Sequence, residues 1–504
     1  MSEPDLPLVE ELEVDGVPVF WTDVDGPRSA SLMFRVGRAD EPANQGGVTH
    51  LVEHLALAPL AQQDYHHNGF VAPLRTVFHA TGTDAQLIAF VGAVTASLRA
   101  LPLDRILMER RILGHEAIAR GPSHPNLLRW FRYGYAGHGL VGAEEIGLGW
   151  LGPKPVAEWA GNWFTRHNAA LWWSGPPPGD LRIDLPEGQR RPTAPTPTVP
   201  GVAFPARIDN GGTGCSAGFV GSRSAATRIM QSVILRRLRQ DLRFERGLIY
   251  DVGTDYEPLD GRSTHIAVGM DCTREDAVEV ASMVLRVLTD LREHGATDEE
   301  IAREATTFVE GATQTGGRFG FLDGTAHDAL LGHPRETAAE IVAEYQAVTP
   351  DAIAAVAAAA LDTLLLLAPP GPYDDGTLGA YPSWSDHVVD GRMFRPSGWR
   401  ILPSARPDRL IVGPTGVSWI GPSGLPNTVR YDDCVALRHW EGPVRELWGA
   451  DGFRVVINAA DWNRGASVVA EVDAAVSPAV VACDEHGVGA LEAPKGAVGQ
   501  AAGR

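Results

Sequence analysis

The run from Pro192 to Pro205 holds five prolines and no charged residue. Proline fixes φ and removes a backbone donor, so this stretch can enter neither a helix interior nor a central strand. It reads as an extended linker, and the chain must organise separately on its two sides. At 504 residues the chain also exceeds one ordinary core, and roughly three domains are expected.

Before the linker, strand and helix patterns alternate. Val14 to Trp21 reads as a strand region with a turn at Asp15-Gly16, and Ser29 to Val36 as a second strand. Pro42, Asn44, Gly46 and Gly47 make a loop, and a helix is expected from Val48 to about Ala58. A strand is expected at Leu87 to Gly92. Leu103 to Arg120 has helical periodicity, with Leu103, Ile106, Leu107, Leu113 and Ala117 on one face. Beyond the linker, Gly214 to Val220 and Ser263 to Met270 read as strands. Ala226 to Phe244, Arg274 to Glu293, Asp298 to Gly311 and Arg335 to Val348 read as helices. The expected fold class is α+β: two related units, 10–190 and 205–368, each an antiparallel sheet packed with helices. A second linker is expected at 369–407, rich in Gly, Pro, Asp and Ser. Short runs separated by Gly, Pro and Asp then predict a small all-β domain over 408–480, followed by a flexible tail, 481–504.

The formal net charge of −20 argues against a nucleic-acid binder and against docking on anionic lipid. Met1 to Leu12 has no basic or apolar signal region, and no apolar run is long enough to span a membrane. Cys215, Cys272, Cys434 and Cys483 stand far apart, which argues against a cysteine zinc site. A reduced, cytoplasmic setting is the expectation.

One motif carries chemistry. His50 and His54 stand four apart, so a helix places both imidazoles on one face, with Glu53 beside them. Two neutral nitrogens suit zinc, and a carboxylate next to the metal can take a proton from an attacking water. His-x-x-Glu-His meets both needs, but it leaves one protein ligand missing. A carboxylate from another element should supply it. Glu109 and Glu116 share one helical face, as a ligand pair or as a solvated surface, and their spacing alone does not decide between these.

At these residues the chain resembles the insulinase-like (pitrilysin) family of zinc metallopeptidases, the inverzincins, over about residues 10–370. Gly47-Val-Thr-His50-Leu-Val-Glu53-His54 is similar to the family's Gly-x-x-His-x-x-Glu-His signature, and Glu109-x6-Glu116 to its downstream acidic pair. The resemblance implies Zn2+ held by His50, His54 and Glu116, Glu53 as general base, and Glu109 as support. Arg243-Phe-Glu-Arg-Gly-Leu-Ile-Tyr250 is similar to the family's Arg-x6-Tyr segment, which implies that Arg243 and Tyr250 contact the substrate carbonyl and the tetrahedral intermediate. Two departures stand out. The interval from His54 to Glu116 is shorter than the family's. Its Asn-Ala-x-Thr substrate-holding edge strand is matched only at Ala72, Thr76 and Phe78. His66, His67 and His79 nearby read as surface or packing residues.

Family members enclose substrate between two halves, and this chain supplies one. The resemblance therefore implies a peptide substrate and a homodimer, or a heterodimer with a related chain, with Arg243 and Tyr250 acting in trans. Gly416-Val, Thr428-Val-Arg-Tyr-Asp-Asp-Cys-Val and Asp451-Gly-Phe resemble a pleckstrin-homology (PH-like) module without a basic lipid-binding cluster. The expected function is a zinc endopeptidase acting on short unfolded peptides. Its rivals are an inactive or assembly subunit of the same fold, and a scaffold recruiting a partner through the terminal module.

Overall fold

Asp15 and Gly16 both take positive φ, 50° and 82°, and this turn folds β1 (Glu10–Val14) onto β2 (Val17–Thr22) as a tight hairpin. In this computed structural model, residues 5–60, 62–120, 123–209, 214–373, 376–397, 408–440 and 442–483 are described. The N-terminal unit continues through β3 (Arg28–Phe34), α1 (Val48–Leu57), β4 (His66–Val71), β5 (Thr76–Gly82), α2 (Asp84–Arg99), α3 (Ile106–Arg120), α4 (His124–Tyr133), α5 (Pro153–Trp163) and β6 (Ala169–Ser174). Its sheet has the order β1-β2-β6-β3-β5-β4, so β4 lies at one edge.

The strand expected at Leu87 to Gly92 is instead the first half of α2. Thr83 and Gln86 form a capping box, and Leu87, Phe90, Val91, Val94 and Leu98 are buried at helical spacing. A short apolar run looks the same in a buried strand and in a buried helix face. Helices α1, α2 and α5 cover one face of the sheet, where Leu32, Phe34 and Phe78 join Leu51, Val52, Leu55 and Phe90 in one core.

The C-terminal unit comprises β7 (Ala206–Ile208), β8 (Cys215–Ser222), α6 (Ala225–Leu238), β9 (Val252–Pro258), β10 (Ser263–Met270), α7 (Ala277–His294), α8 (Asp298–Thr313), α9 (Thr315–Leu331), α10 (Ala338–Gln346), α11 (Pro350–Asp362), β11 (Leu365–Leu367) and β12 (Gly379–Ala380). Its sheet order is β12-β7-β11-β8-β10-β9. The helix expected through Phe244 stops at Leu238 and passes into a π-helical stretch, Arg239–Glu245. Helix α9 crosses to the other unit. Its Leu322, Ala326 and Leu330 pack on Phe20, Met33, Val77 and Trp172, on the face of the first sheet that α1 does not cover.

The described parts of the expected linkers are packed, while 374–375 and 398–407 of the second lie outside the described residues. Val199 N donates to Arg132 O at 2.8 Å, and β12 extends the second sheet. The C-terminal module starts with β13 (Arg392–Phe394), inside the expected second linker, and adds β14 (Arg409–Gly413), β15 (Gly416–Ile420), β16 (Pro426–Arg430), β17 (Cys434–His439), β18 (Val444–Gly449), β19 (Arg454–Asn458), α12 (Gly465–Ala475) and β20 (Val481–Ala482). It is not all-β. Two four-stranded sheets enclose a core with Val468 and Val472 of α12. The expected flexible tail also begins too early, because β20 pairs with β17. The rest of that tail, 484–504, lies outside the described residues.

Candidate metal centre

Gly47 starts α1 in a left-handed conformation, φ 95°, and a Cβ there would meet Glu145 Cβ and Leu148 Cγ at 2.9 Å. Only glycine satisfies both demands. Glu41 then accepts from Gly47 N at 2.8 Å and Thr49 N at 2.9 Å, so a carboxylate sits on the positive end of the helix. The helix is thereby aimed before any metal donor is considered.

One turn in, His50, Glu53 and His54 bring their donor atoms within 4.8 Å of one another. His50 and Glu53 are buried, and the ring centroids of His50 and His54 stand 5.1 Å apart, nearly perpendicular. Glu116, from α3, joins them. Its Oε2 lies 3.6 Å from His50 Nε2 and 3.5 Å from His54 Nε2. Of the two readings that spacing left open, the geometry brings this carboxylate to the histidines.

Each imidazole is held from behind by another carboxylate. His50 Nδ1 lies 3.2 Å from Glu145 Oε1, and His54 Nδ1 lies 3.3 Å from Glu109 Oε2. A carboxylate accepts the Nδ1 proton, which leaves the Nε2 lone pair facing forward. The two Nε2 atoms and a carboxylate oxygen then converge, a donor set that a cation can bridge. Ligand atoms about 2.0–2.1 Å from a tetrahedral zinc stand roughly 3.3–3.5 Å apart, close to the spacing found. The donor set therefore fits zinc.

Burial opposes a charge on His50, but the Glu145 hydrogen bond and the charges of Glu145, Glu53 and Glu116 outweigh it and raise its pKa. Burial and the nearby His50 lower that of His54 despite the Glu109 hydrogen bond, so the two rings do not charge together.

Glu109 is buried and is itself paired with Arg105 at 2.8 Å. Sequence reasoning missed Glu145, which lies 95 residues beyond His50 in a segment of short 3-10 turns. It also missed Arg38, which bridges Glu145 at 2.5 Å and Glu41 at 3.2 Å. No local pattern marks either residue. Gly69 was missed too. It lies on the edge strand β4, and a Cβ there would fall 2.2 Å from Glu53 Oε1. The three residues matched to the family's edge strand sit elsewhere. Ala72 is in the β4–β5 turn, while Thr76 and Phe78 are buried in β5, which is paired on both sides. The free edge belongs to β4.

The structure does not bring Arg243 and Tyr250 to this cluster. Arg243 lies in the π-helical stretch beyond α6, its guanidinium 5.4 Å from the Tyr250 ring centre and 3.5 Å from Asp251 Oδ1. Tyr250 is 79% exposed. Among the described residues, no hydrogen bond or ion pair joins either one to His50, His54 or Glu116.

Comparison with known proteins bears on the fold. Residues 219–308 match the family model described as the peptidase M16 inactive domain. The fold is that of an M16 half-unit. A protease from Helicobacter pylori superposes with a TM-score of 0.59 at 14% identity, covering 72% of this chain and 99% of that one. A peptidase M16 inactive domain from Pseudomonas fluorescens gives 0.60 at 13% identity, covering 71% and 97%. Pitrilysin gives 0.51 at 14% identity; the match covers 77% of this chain and 51% of pitrilysin. No curated protein matches the chain. The segment matched as M16 lies within the C-terminal unit, and His50, His54 and Glu116 all lie outside it.

Proposed function

We propose that this chain is one half of a zinc-dependent endopeptidase that hydrolyses short unfolded peptides. The observation that carries this reading is the convergence of His50 Nε2, His54 Nε2 and Glu116 Oε2 beside the buried carboxylate of Glu53. When bound, zinc supplies Lewis-acid activation of the attacking water and of the scissile carbonyl. Glu53 takes the proton from that water and returns it to the departing amine nitrogen. Glu109 and Glu145 hold the two imidazoles in the tautomer that ligates. The free edge of β4 passes Glu53 at Gly69, so a substrate pairing with that edge would run beside the general base. The half-buried Arg243 and the exposed Tyr250 suit donation to the oxyanion of a facing chain's site, which makes a homodimer self-sufficient. The C-terminal module, read as PH-like, suits a protein contact.

A second reading, a non-catalytic subunit of the same fold, is favoured by the match of residues 219–308 to the peptidase M16 inactive domain. The two readings divide on experiment. The purified chain should carry one zinc, lost on chelation, and should cleave a peptide mixture. Glu53→Gln should keep the zinc and lose about 10²- to 10⁴-fold in cleavage. Mixing Glu53→Gln chains with Tyr250→Phe chains should restore cleavage, because one composite site then holds both native groups. A zinc-loaded protein that cleaves nothing supports the second reading, and a metal-free, inert one defeats the first.

A further inference from the structure

The carboxylate behind His50 sits on a segment held from two sides, one of them outside the unit that carries the metal donors. Glu145 comes from the segment 134–150, which has only short 3-10 turns of its own. Such a segment keeps its shape only where its surroundings impose it. One side is the α1 entry. Arg38 bonds Glu145 and also donates to Leu140 O at 2.9 Å, and Gly147 N donates to Gly46 O at 2.9 Å.

The other side is the C-terminal module. Arg438 of β17 is buried, pairs with Glu144 at 2.9 Å, and lies 3.7 Å over the Trp440 ring. Glu144 is the immediate neighbour of Glu145. Trp448 of β18 packs on Tyr135 with ring centroids 4.3 Å apart, and Ala450 O accepts from Tyr135 N at 3.1 Å. Ala43, Leu140 and Ile146 close one apolar cluster with Ala436 and Trp448. Asn44 donates to Ala479 O at 3.0 Å, beside the last strand. The module thus grips both the α1 entry loop and the segment that presents Glu145.

We propose that the C-terminal module is a structural part of the metal centre: docked on segment 134–150, it holds Glu145 against His50 Nδ1 and so sets the affinity of the site for zinc. Arg438 is a positioning residue, acting through Glu144 on the backbone that carries Glu145. The proposal rests on the zinc reading of the His50, His54 and Glu116 cluster. Its physical basis is that a carboxylate on the far ring nitrogen fixes the ligating tautomer and raises its basicity, and it does both only while held in register.

The test measures the zinc Kd of the full-length apo protein by competition with a chromogenic chelator. Glu145→Gln should weaken binding about 10- to 100-fold. Arg438→Ala and Glu144→Ala should each weaken it by less, about three- to tenfold. Glu144 is 56% exposed, so its variant leaves the core intact. The double variant should lose no more than Arg438→Ala alone, since both remove one contact. Arg445→Ala breaks a pair with Asp473 inside the module and should leave the Kd unchanged. Wild-type affinity in both Arg438→Ala and Glu144→Ala, with Glu145→Gln weakened, overturns the proposal and spares the zinc reading. An equal loss in Arg445→Ala also overturns it, as a general destabilisation. A wild-type chain that takes up no zinc overturns both.

Discussion

The two halves of the M16-like region share one sheet topology and differ in what the helix after the matching strand carries. In the N-terminal unit β2 runs parallel to β6, and β6, β3, β5 and β4 then alternate in direction. In the C-terminal unit β7 runs parallel to β11, and β11, β8, β10 and β9 alternate in the same way. Helix α1 follows β3 as α6 follows β8. Yet α1 enters through a left-handed glycine and carries His50, Glu53 and His54, whereas α6 enters through a Ser224 cap and carries no histidine. The fold thus builds a platform twice and a candidate metal centre once. What separates the units is the set of carboxylates brought to α1 from α3 and from segment 134–150.

Removing one of those carboxylates should break the contrast most sharply. Glu116→Ala should weaken zinc binding by more than the roughly 10- to 100-fold that a supporting carboxylate contributes. Unchanged affinity would show that Glu116 is not a ligand. Gly69→Val pushes a side chain into the space of Glu53 Oε1. Peptide cleavage should fall by about 10²-fold, the effect of displacing a reacting group by about 1 Å, with zinc content unaltered.

The histidines of the two units sharpen the same comparison. His50 and His54 have carboxylate partners, while His265 on β10 is fully buried with neither ring nitrogen hydrogen-bonded. Burial, helped by Arg129 and Arg132, holds its pKa well below the ordinary value. The unfolded chain takes up a proton near pH 6.5 and the folded chain does not, so stability falls as pH drops below 6.5. His265→Gln should remove up to about 1.4 kcal/mol per pH unit from that slope, read from chemical unfolding between pH 6.5 and 5. An unchanged slope would show that His265 titrates normally. The smallest effect is expected from grafting the motif onto α6 as Arg228→His, Gln231→Glu and Ser232→His. This places two histidines and a glutamate at the same spacing without the supporting carboxylates, and zinc stoichiometry should stay unchanged. A second zinc per chain would mean that the helix alone suffices.

Much of the centre was legible along the chain, because helical geometry converts a spacing of four into one face. The helix from Val48, its Gly-Gly entry, and the shared face of Glu109 and Glu116 follow from local rules, while the role of that pair was implied only by the family resemblance. The failures share a cause. The Leu87 to Gly92 run is apolar whether it is strand or helix, and only the Thr83–Gln86 cap and its packing beneath β3 and β5 distinguish them. Helix α9 escaped notice because Gly316, Gly317, Gly320 and Gly324 hide its periodicity, and its apolar face is completed only by the other unit's sheet. The all-β expectation for the module overlooked α12, an Ala- and Val-rich stretch with no strong polar face.

The sequence by itself determined the donors on α1, since His50, Glu53 and His54 are placed by backbone periodicity that needs no tertiary contact. It also made Pro192 to Pro205 a break in regular structure, because proline cannot enter the ladders on either side. Only the tertiary structure decided that Glu145 stands behind His50, that Gly69 brings the β4 edge against Glu53, and that the C-terminal module meets the segment between them. Those contacts join residues far apart in the chain. Burial and hydrogen-bond satisfaction select them, and neither leaves a periodic mark in the sequence.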